Sequence, residues 1–279
     1  MRRGRHTTSV VPPDQGAHVA EARIAIQIHP QHADYADIRR AVLEAEALGV
    51  DVLYNWDHFY PLYGGDPDPI AGKHFECWTM LGAWAEATKN IRFGALVTCN
   101  SYRNPALLAD MARTVDVISG GRLIFGIGSG WFEKDYDEYG YEFGTAIGRL
   151  RALDAAMPVI KNRLTLLDPQ PSGPLPILIG GGGEKVTLRI VAEYADIWHG
   201  FGDVETFTHK SAVLDEWCTT VGRDPHDIER SVGIDANKIE LADAYRAAGA
   251  DEITIGLNGP DYDMSRVKDW LAWRDRVNA

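Results

Sequence analysis

Eight short β-rich runs, each followed by a helical period, make this an α/β chain and predict a single (β/α)8 TIM barrel. Two further observations favour closure. Residues 23–279 match the ~250 residues usual for one such barrel, and no linker or shift of composition divides them. A doubly wound open sheet is the competing architecture. Hydrophobic residues at 45% and charged ones at 24% suffice for a large core in either case.

Each element has its own signal. Arg23–Ile28 alternates apolar and polar residues, as a strand does. Ile38, Val42, Ala45 and Leu48 share one helical face over 35–48, and Gly49 ends that helix. Val50–Tyr54 is the second strand, followed by a loop rich in Pro and Gly. A helix over about 74–88 leads to the third strand, Ile91–Val97. Asn104 caps a helix over 105–118, with Pro105 at its first position. Ser119-Gly120-Gly121 then turns the chain into the fourth strand, Arg122–Ile127. A helix over 145–162 precedes the fifth strand, Pro176–Ile179, and another starts near Glu184. Asp196–Trp198, Ser231–Ile234 and Ile253–Leu257 complete the strands. Helices near 204–220, 237–248 and 263–276 follow them.

Residues 1–22 read as a disordered leader before the barrel domain of 23–279. Arg2-Arg3 lacks the apolar segment that an export signal needs after it. Acidic side chains outnumber basic ones by 40 to 28, for a net charge of −12. A nucleic-acid or anionic-membrane partner requires the opposite field, so a small-molecule substrate is expected instead. Cys77, Cys99 and Cys218 show no CxxC spacing, which suits a reducing cytoplasm. No apolar run approaches the ~18 residues of a membrane span.

In such a barrel the chemistry lies where strands end. Those positions here are His29, Asn55 to His58, Thr98 to Asn100, Ser129 to Trp131, Gly180 to Gly183, His199, Asp235 and Asn258. HExxH, GxSxG, the phosphate-binding GxxxxGK[ST] and GxGxxG after the first strand are all missing. No metal site is expected, and His29 and His32 read as a surface pair. Four glycines at 180–183, between a strand and a helix, let backbone N–H groups approach an anion such as phosphate. A tight turn alone needs fewer. Gly126-Ile127-Gly128-Ser129-Gly130 is a weaker signal, consistent with close packing beneath a flat ring.

Several segments together resemble the luciferase-like flavin and deazaflavin oxidoreductases. They are Asp57-His58-Phe59, the run Val97 to Ala106, Asp116 to Leu123 running into Gly126 to Phe132, Pro176 to Gly183, and Ala195 to Trp198. They occur in that family's order and fill most of residues 23–200. The resemblance implies a luciferase-like barrel of the coenzyme F420-dependent branch, with FMN as the alternative cofactor. It implies a bulge behind the ring at Leu96–Val97, often built on a cis peptide. Thr98, Cys99 and Asn100 would touch the ring or its side chain. Ser129 and Gly130 would line the ribityl path, and Gly181, Gly182, Gly183 and Glu184 the phosphate. His58 would supply or take a proton, and Asp57 would bond the cofactor or orient its neighbour. Arg103 is left between the anionic tail and a salt bridge. A homodimer is also implied.

Two departures from the family pattern matter. In its sugar-phosphate dehydrogenases a glutamate follows the glycine motif and acts as base, and here that residue is Trp131. An indole cannot take a proton, although it can stack on a ring. Hydride transfer from reduced F420 to an unsaturated or imine-like acceptor therefore fits better than glucose-6-phosphate oxidation. The connection after the seventh strand is also short, so the mouth is expected to be open or completed by another subunit. An FMN-dependent monooxygenase and a silent cofactor carrier are the alternatives. With no Lys or Arg cluster at the mouth, the acceptor is expected to be neutral or weakly charged.

Overall fold

A computed structural model describes residues 21–65, 68 and 70–279. The strands are β1 (Arg23–Ile28), β2 (Val52–Asn55), β3 (Arg92–Ala95), β4 (Thr98–Cys99), β5 (Leu123–Gly128), β6 (Ile177–Gly180), β7 (Ile197–Gly200), β8 (Glu229–Ile234) and β9 (Glu252–Leu257). All pair in parallel, and pairings β1–β2, β1–β9 and β3–β5 close the sheet on itself. β3 and β4 are one stave interrupted at Leu96–Val97, so the barrel has eight staves. The expected TIM barrel is the observed fold.

The helices are α1 (Tyr35–Leu48), α2 (Cys77–Ala87), α3 (Pro105–Ser119), α4 (Glu133–Tyr139), α5 (Ala146–Leu166), α6 (Thr187–Tyr194), α7 (Val204–Val221), α8 (Ala242–Ala247) and α9 (Ser265–Val277). Local chemistry sets several of their ends. Gly49 closes α1 at φ 80°, and Asn104 Oδ1 accepts from the Ala106 and Leu107 amides to start α3. The expected element near Glu184 is instead a turn over 184–186, and α6 begins at Thr187. The segment expected as a helix over 237–248 is a 3-10 turn at Ile239–Leu241 followed by α8. α4 was not expected at all. Its sequence EKDYDEY is too short and acidic to show an apolar stripe.

Strand alternation separates two apolar layers. Ile24, Ile26 and Ile28 belong to the outer layer against the helices, while Ala25, Val52, Tyr54, Ile124, Leu178 and Ile197 pack inside the barrel. Toward the C-terminal mouth the inward residues become polar or glycine. That change makes room for a site. Residues 1–20, most of the expected leader, lie outside the described residues. Ala22 is buried, and its amide donates to Asn278 Oδ1 at 2.8 Å.

Candidate active site at the barrel mouth

A cavity of about 370 Å³ opens at the mouth. The Leu96–Val97 peptide is cis and forms part of its floor. Glycines permit this bulge. A Cβ on Gly126 would lie 1.8 Å from the Ala95 carbonyl oxygen, and one on Gly128 would lie 2.6 Å from a Val97 methyl. Gln27 Nε2 donates to the Leu96 carbonyl at 2.8 Å and holds the bulge from the β1 side.

Asp57 is buried and fully engaged. It accepts from Thr98 Oγ1 at 2.6 Å, the Cys99 amide at 3.0 Å and both ends of the Arg103 guanidinium at 2.5 and 3.1 Å. Arg103 also reaches Glu76 Oε1 at 2.5 Å. Burial alone would lower the Arg103 pKa, but Asp57 and Glu76 raise it above its ordinary value. Of the two roles open to Arg103, the structure gives it the salt bridge. With its oxygens taken, Asp57 positions the Thr98–Cys99 segment and has little left to offer a cofactor or a proton.

His58 is held differently. Its Nδ1 lies 2.7 Å from Asp135 Oδ2 on α4, a carboxylate that also accepts from the Phe59 amide at 3.0 Å and the Tyr102 hydroxyl at 3.0 Å. A carboxylate only accepts, so Nδ1 carries a hydrogen and Nε2 is the ring atom left for a ligand. Burial, with Cys99 and Asp135 nearby, raises the Tyr102 pKa and keeps that donor protonated. Trp131 and Phe132 meet the His58 ring edge-on at 5.6 and 5.5 Å. On its other side Trp56 Nε1 donates to His74 Nε2 at 2.9 Å. Burial, with His58 beside it, holds the His74 pKa down to about 4.

Of the residues expected at the site, Asp57, His58, Leu96, Val97, Thr98, Cys99, Ser129, Gly130, Trp131 and Gly181 line this cavity. Asn100, Gly182, Gly183 and Glu184 do not. Asn100 is buried in the 3-10 turn that follows β4. The Glu184 carboxylate pairs with Lys210 at 2.5 Å and His209 at 3.2 Å, and a second negative group would repel phosphate. The late start of α6 also separates the glycine loop from a helix N-terminus. His29 is no surface residue: it is buried and stacks on Trp56 at 4.3 Å. Asp135 is the residue that sequence reasoning missed. It stands 77 positions from its partner on a helix with an acidic first turn, where an aspartate reads as solvated. Among the described residues no group of three or more His, Cys, Asp or Glu gathers to hold a metal ion, and no helix is long and apolar enough to cross a membrane.

A parallel barrel with a cavity and an oriented histidine at its C-terminal mouth has the arrangement of a barrel enzyme. The chain belongs to the luciferase-like monooxygenase family, whose model matches residues 13–237. It is similar to an F420-dependent glucose-6-phosphate dehydrogenase of Amycolatopsis mediterranei, 29% identical over 177 residues that cover 57% of this chain and 50% of that one. It is also similar to a phthiodiolone/phenolphthiodiolone dimycocerosates ketoreductase of Mycobacterium tuberculosis, 27% identical over 269 residues, 83% of this chain and 70% of the other. An F420-dependent secondary alcohol dehydrogenase, solved with an F420–acetone adduct, shares the fold. Its TM-score is 0.79 at 17% identity over 89% of this chain and 98% of that one.

Proposed function

We propose that the protein is an F420-dependent oxidoreductase that moves a hydride between the deazaflavin and a small organic acceptor. The observation that carries this reading is the His58–Asp135 pair at the rim of a cavity floored by Leu96 and Val97. The residues present fit a flat ring. Gly128 and Gly180 lack the Cβ that would crowd Val97, at 2.6 and 3.2 Å, and leave an even wall. A volume of about 370 Å³ falls in the usual range of ligand sites. Leu96, Val97, Ser129 and Gly130 would hold the ring and ribityl chain, and Gly181 would begin the path of the phosphate. The deazaflavin, when bound, supplies the carbon that carries the hydride.

The side chains do the rest. Asp57, Thr98 and Arg103 keep the floor in place. Trp131 and Phe132 narrow the mouth and limit water. His58 Nε2 takes a proton from a substrate hydroxyl in oxidation, and the imidazolium returns one to a substrate oxygen in reduction. Asp135 steadies the imidazolium. We also take residues 23–279 as one domain, acting in the cytoplasm as a homodimer. The exposed Leu107 and Ile118 on α3 support self-association.

The test is a parallel titration of F420 and FMN, read by quenching of Trp56 and Trp131 fluorescence. Tight F420 binding with weak FMN binding supports the assignment, and preference for FMN overturns it. In the F420-loaded enzyme, Asp135→Asn should lower turnover by roughly 10²–10⁴, the range of a positioned acid or base, and leave F420 affinity within about twofold. Unchanged turnover would remove His58 from proton transfer.

A further inference from the structure

A second cavity of about 270 Å³ opens beside the first and shares Gln27, Leu96 and Phe201 with it. It lies on the β7–β8–β9–β1 side of the mouth, between His29 and His199. Two glycines that line it, Gly233 and Gly256, show where those rings point. A Cβ on Gly256 would lie 2.7 Å from His29 Nε2, and one on Gly233 would lie 3.4 Å from His199 Nε2. Both Nε2 atoms therefore lie beside glycines that line this cavity.

Hydrogen bonding behind each ring holds its orientation. Ser231 Oγ donates to Glu252 Oε1 at 2.9 Å, and Tyr54 donates to the same oxygen at 3.2 Å. The single hydroxyl proton of Ser231 is thus committed. Its oxygen, 2.8 Å from His199 Nδ1, must accept, so Nδ1 bears the hydrogen. His29 Nδ1 lies 2.9 Å from the Asn258 carbonyl oxygen, which also accepts from Tyr63 at 3.0 Å. The Tyr63 hydroxyl itself lies 2.7 Å from this Nδ1, so the two groups orient the His29 ring, which can meet a ligand through Nε2 as donor or acceptor. Burial keeps both rings neutral. His199 then presents a bare Nε2, with the His29 Nε2 across from it. Thr254, on the same wall, has a buried hydroxyl with no hydrogen-bond partner among the described residues.

We infer that this second cavity seats the substrate and selects an uncharged molecule carrying an O–H or N–H donor, held by His29 Nε2, His199 Nε2 and the Thr254 hydroxyl. The His199 lone pair in a cavity of neutral rings rewards a donor and disfavours phosphate or carboxylate. Ser231 and Glu252 are positioning residues that act through His199. This inference rests on the reading that the larger cavity holds the cofactor.

The experiment uses the full chain with 15N-labelled histidine, with and without F420, and three probes: hydroxyacetone, acetone and inorganic phosphate. Hydroxyacetone should move the Nε2 signals of His29 and His199 and bind roughly three- to tenfold tighter than acetone, the effect of one net hydrogen bond. Phosphate should leave both signals unmoved. His199→Phe and Thr254→Val should each reduce the preference for hydroxyacetone over acetone. Ser231→Ala should turn the His199 ring into a mixture of tautomers in the 15N spectrum, which a purely structural loss does not produce. Equal binding of hydroxyacetone and acetone overturns the inference, as does phosphate binding between the two histidines. So does displacement of hydroxyacetone by F420, because the cavity would then belong to the cofactor. Should His199→Phe fail to fold, the wild-type probe ratio and Thr254→Val still decide. A chain that prefers FMN but keeps the hydroxyacetone ratio refutes the cofactor assignment and spares the cavity.

Discussion

Replacing Arg103 with Met leaves the Asp57 carboxylate buried beside Thr98 and Cys99 without its counter-charge. Asp57 has essentially no exposed side chain, whereas the other carboxylate on Arg103, Glu76, is 38% exposed and can hydrate. The burden therefore falls on Asp57. Removing one partner of a buried ion pair costs about 3–5 kcal/mol. At roughly 2–4 °C per kcal/mol, the expected loss in Tm is about 6–20 °C. Asp57→Asn keeps an oxygen for the Cys99 amide and removes the charge, so the double variant should be less damaged than the sum of the single ones. A coupling of about 1.5–3 kcal/mol is expected for two such groups in contact. Urea unfolding followed by tryptophan fluorescence measures all four members of the cycle. F420 affinity should fall with the Arg103 variant, because Asp57 also holds the segment after the Leu96–Val97 bulge. A cost under about 1 kcal/mol for Arg103→Met, or additivity within about 0.5 kcal/mol, would show that Arg103 does not hold the floor.

Acid should destabilise the protein through its neutral histidines. Burial lowers the pKa of His199 to about 3, and burial with His58 nearby lowers that of His74 to about 4. Below pH ~6.5 the unfolded chain binds protons that the folded one refuses, so stability present above that pH is lost as pH falls toward 4. Each ring contributes a slope of up to about 1.4 kcal/mol per pH unit, and His199→Phe should remove one ring's share in urea titrations between pH 6.5 and 4.5. An unchanged slope contradicts the buried neutral state. Glycine substitutions should split by environment. Gly126→Ala sets a Cβ 1.8 Å from backbone and should prevent a stable barrel, while Gly82→Ala on α2, with nothing within 4 Å, should gain about 0.5–1 kcal/mol. Thermal melts separate the two, and a stable Gly126→Ala barrel counts against the tight bulge.

The sequence by itself determined the barrel and much of the mouth. Strand alternation and helical periods are local signals, and each survives translation into structure because it reflects burial on one face. Asp57, His58 and Gly128 to Trp131 were legible because strand ends and glycine runs mark a barrel mouth without knowledge of distant contacts, and Val97 was legible only through the family resemblance. Other features needed the tertiary structure. Asp135 joins His58 across 77 residues. The Glu252–Ser231–His199 chain joins three neighbouring staves in register, and no spacing rule encodes either contact. The displacement of Gly182, Gly183 and Glu184 from the cavity depended on where α6 starts, and three turn residues delayed that start. Asp57 illustrates the division most sharply. Its place at the mouth was readable from the sequence, but the neighbours that occupy its oxygens, and so its role, were set by how the third stave closes on the second.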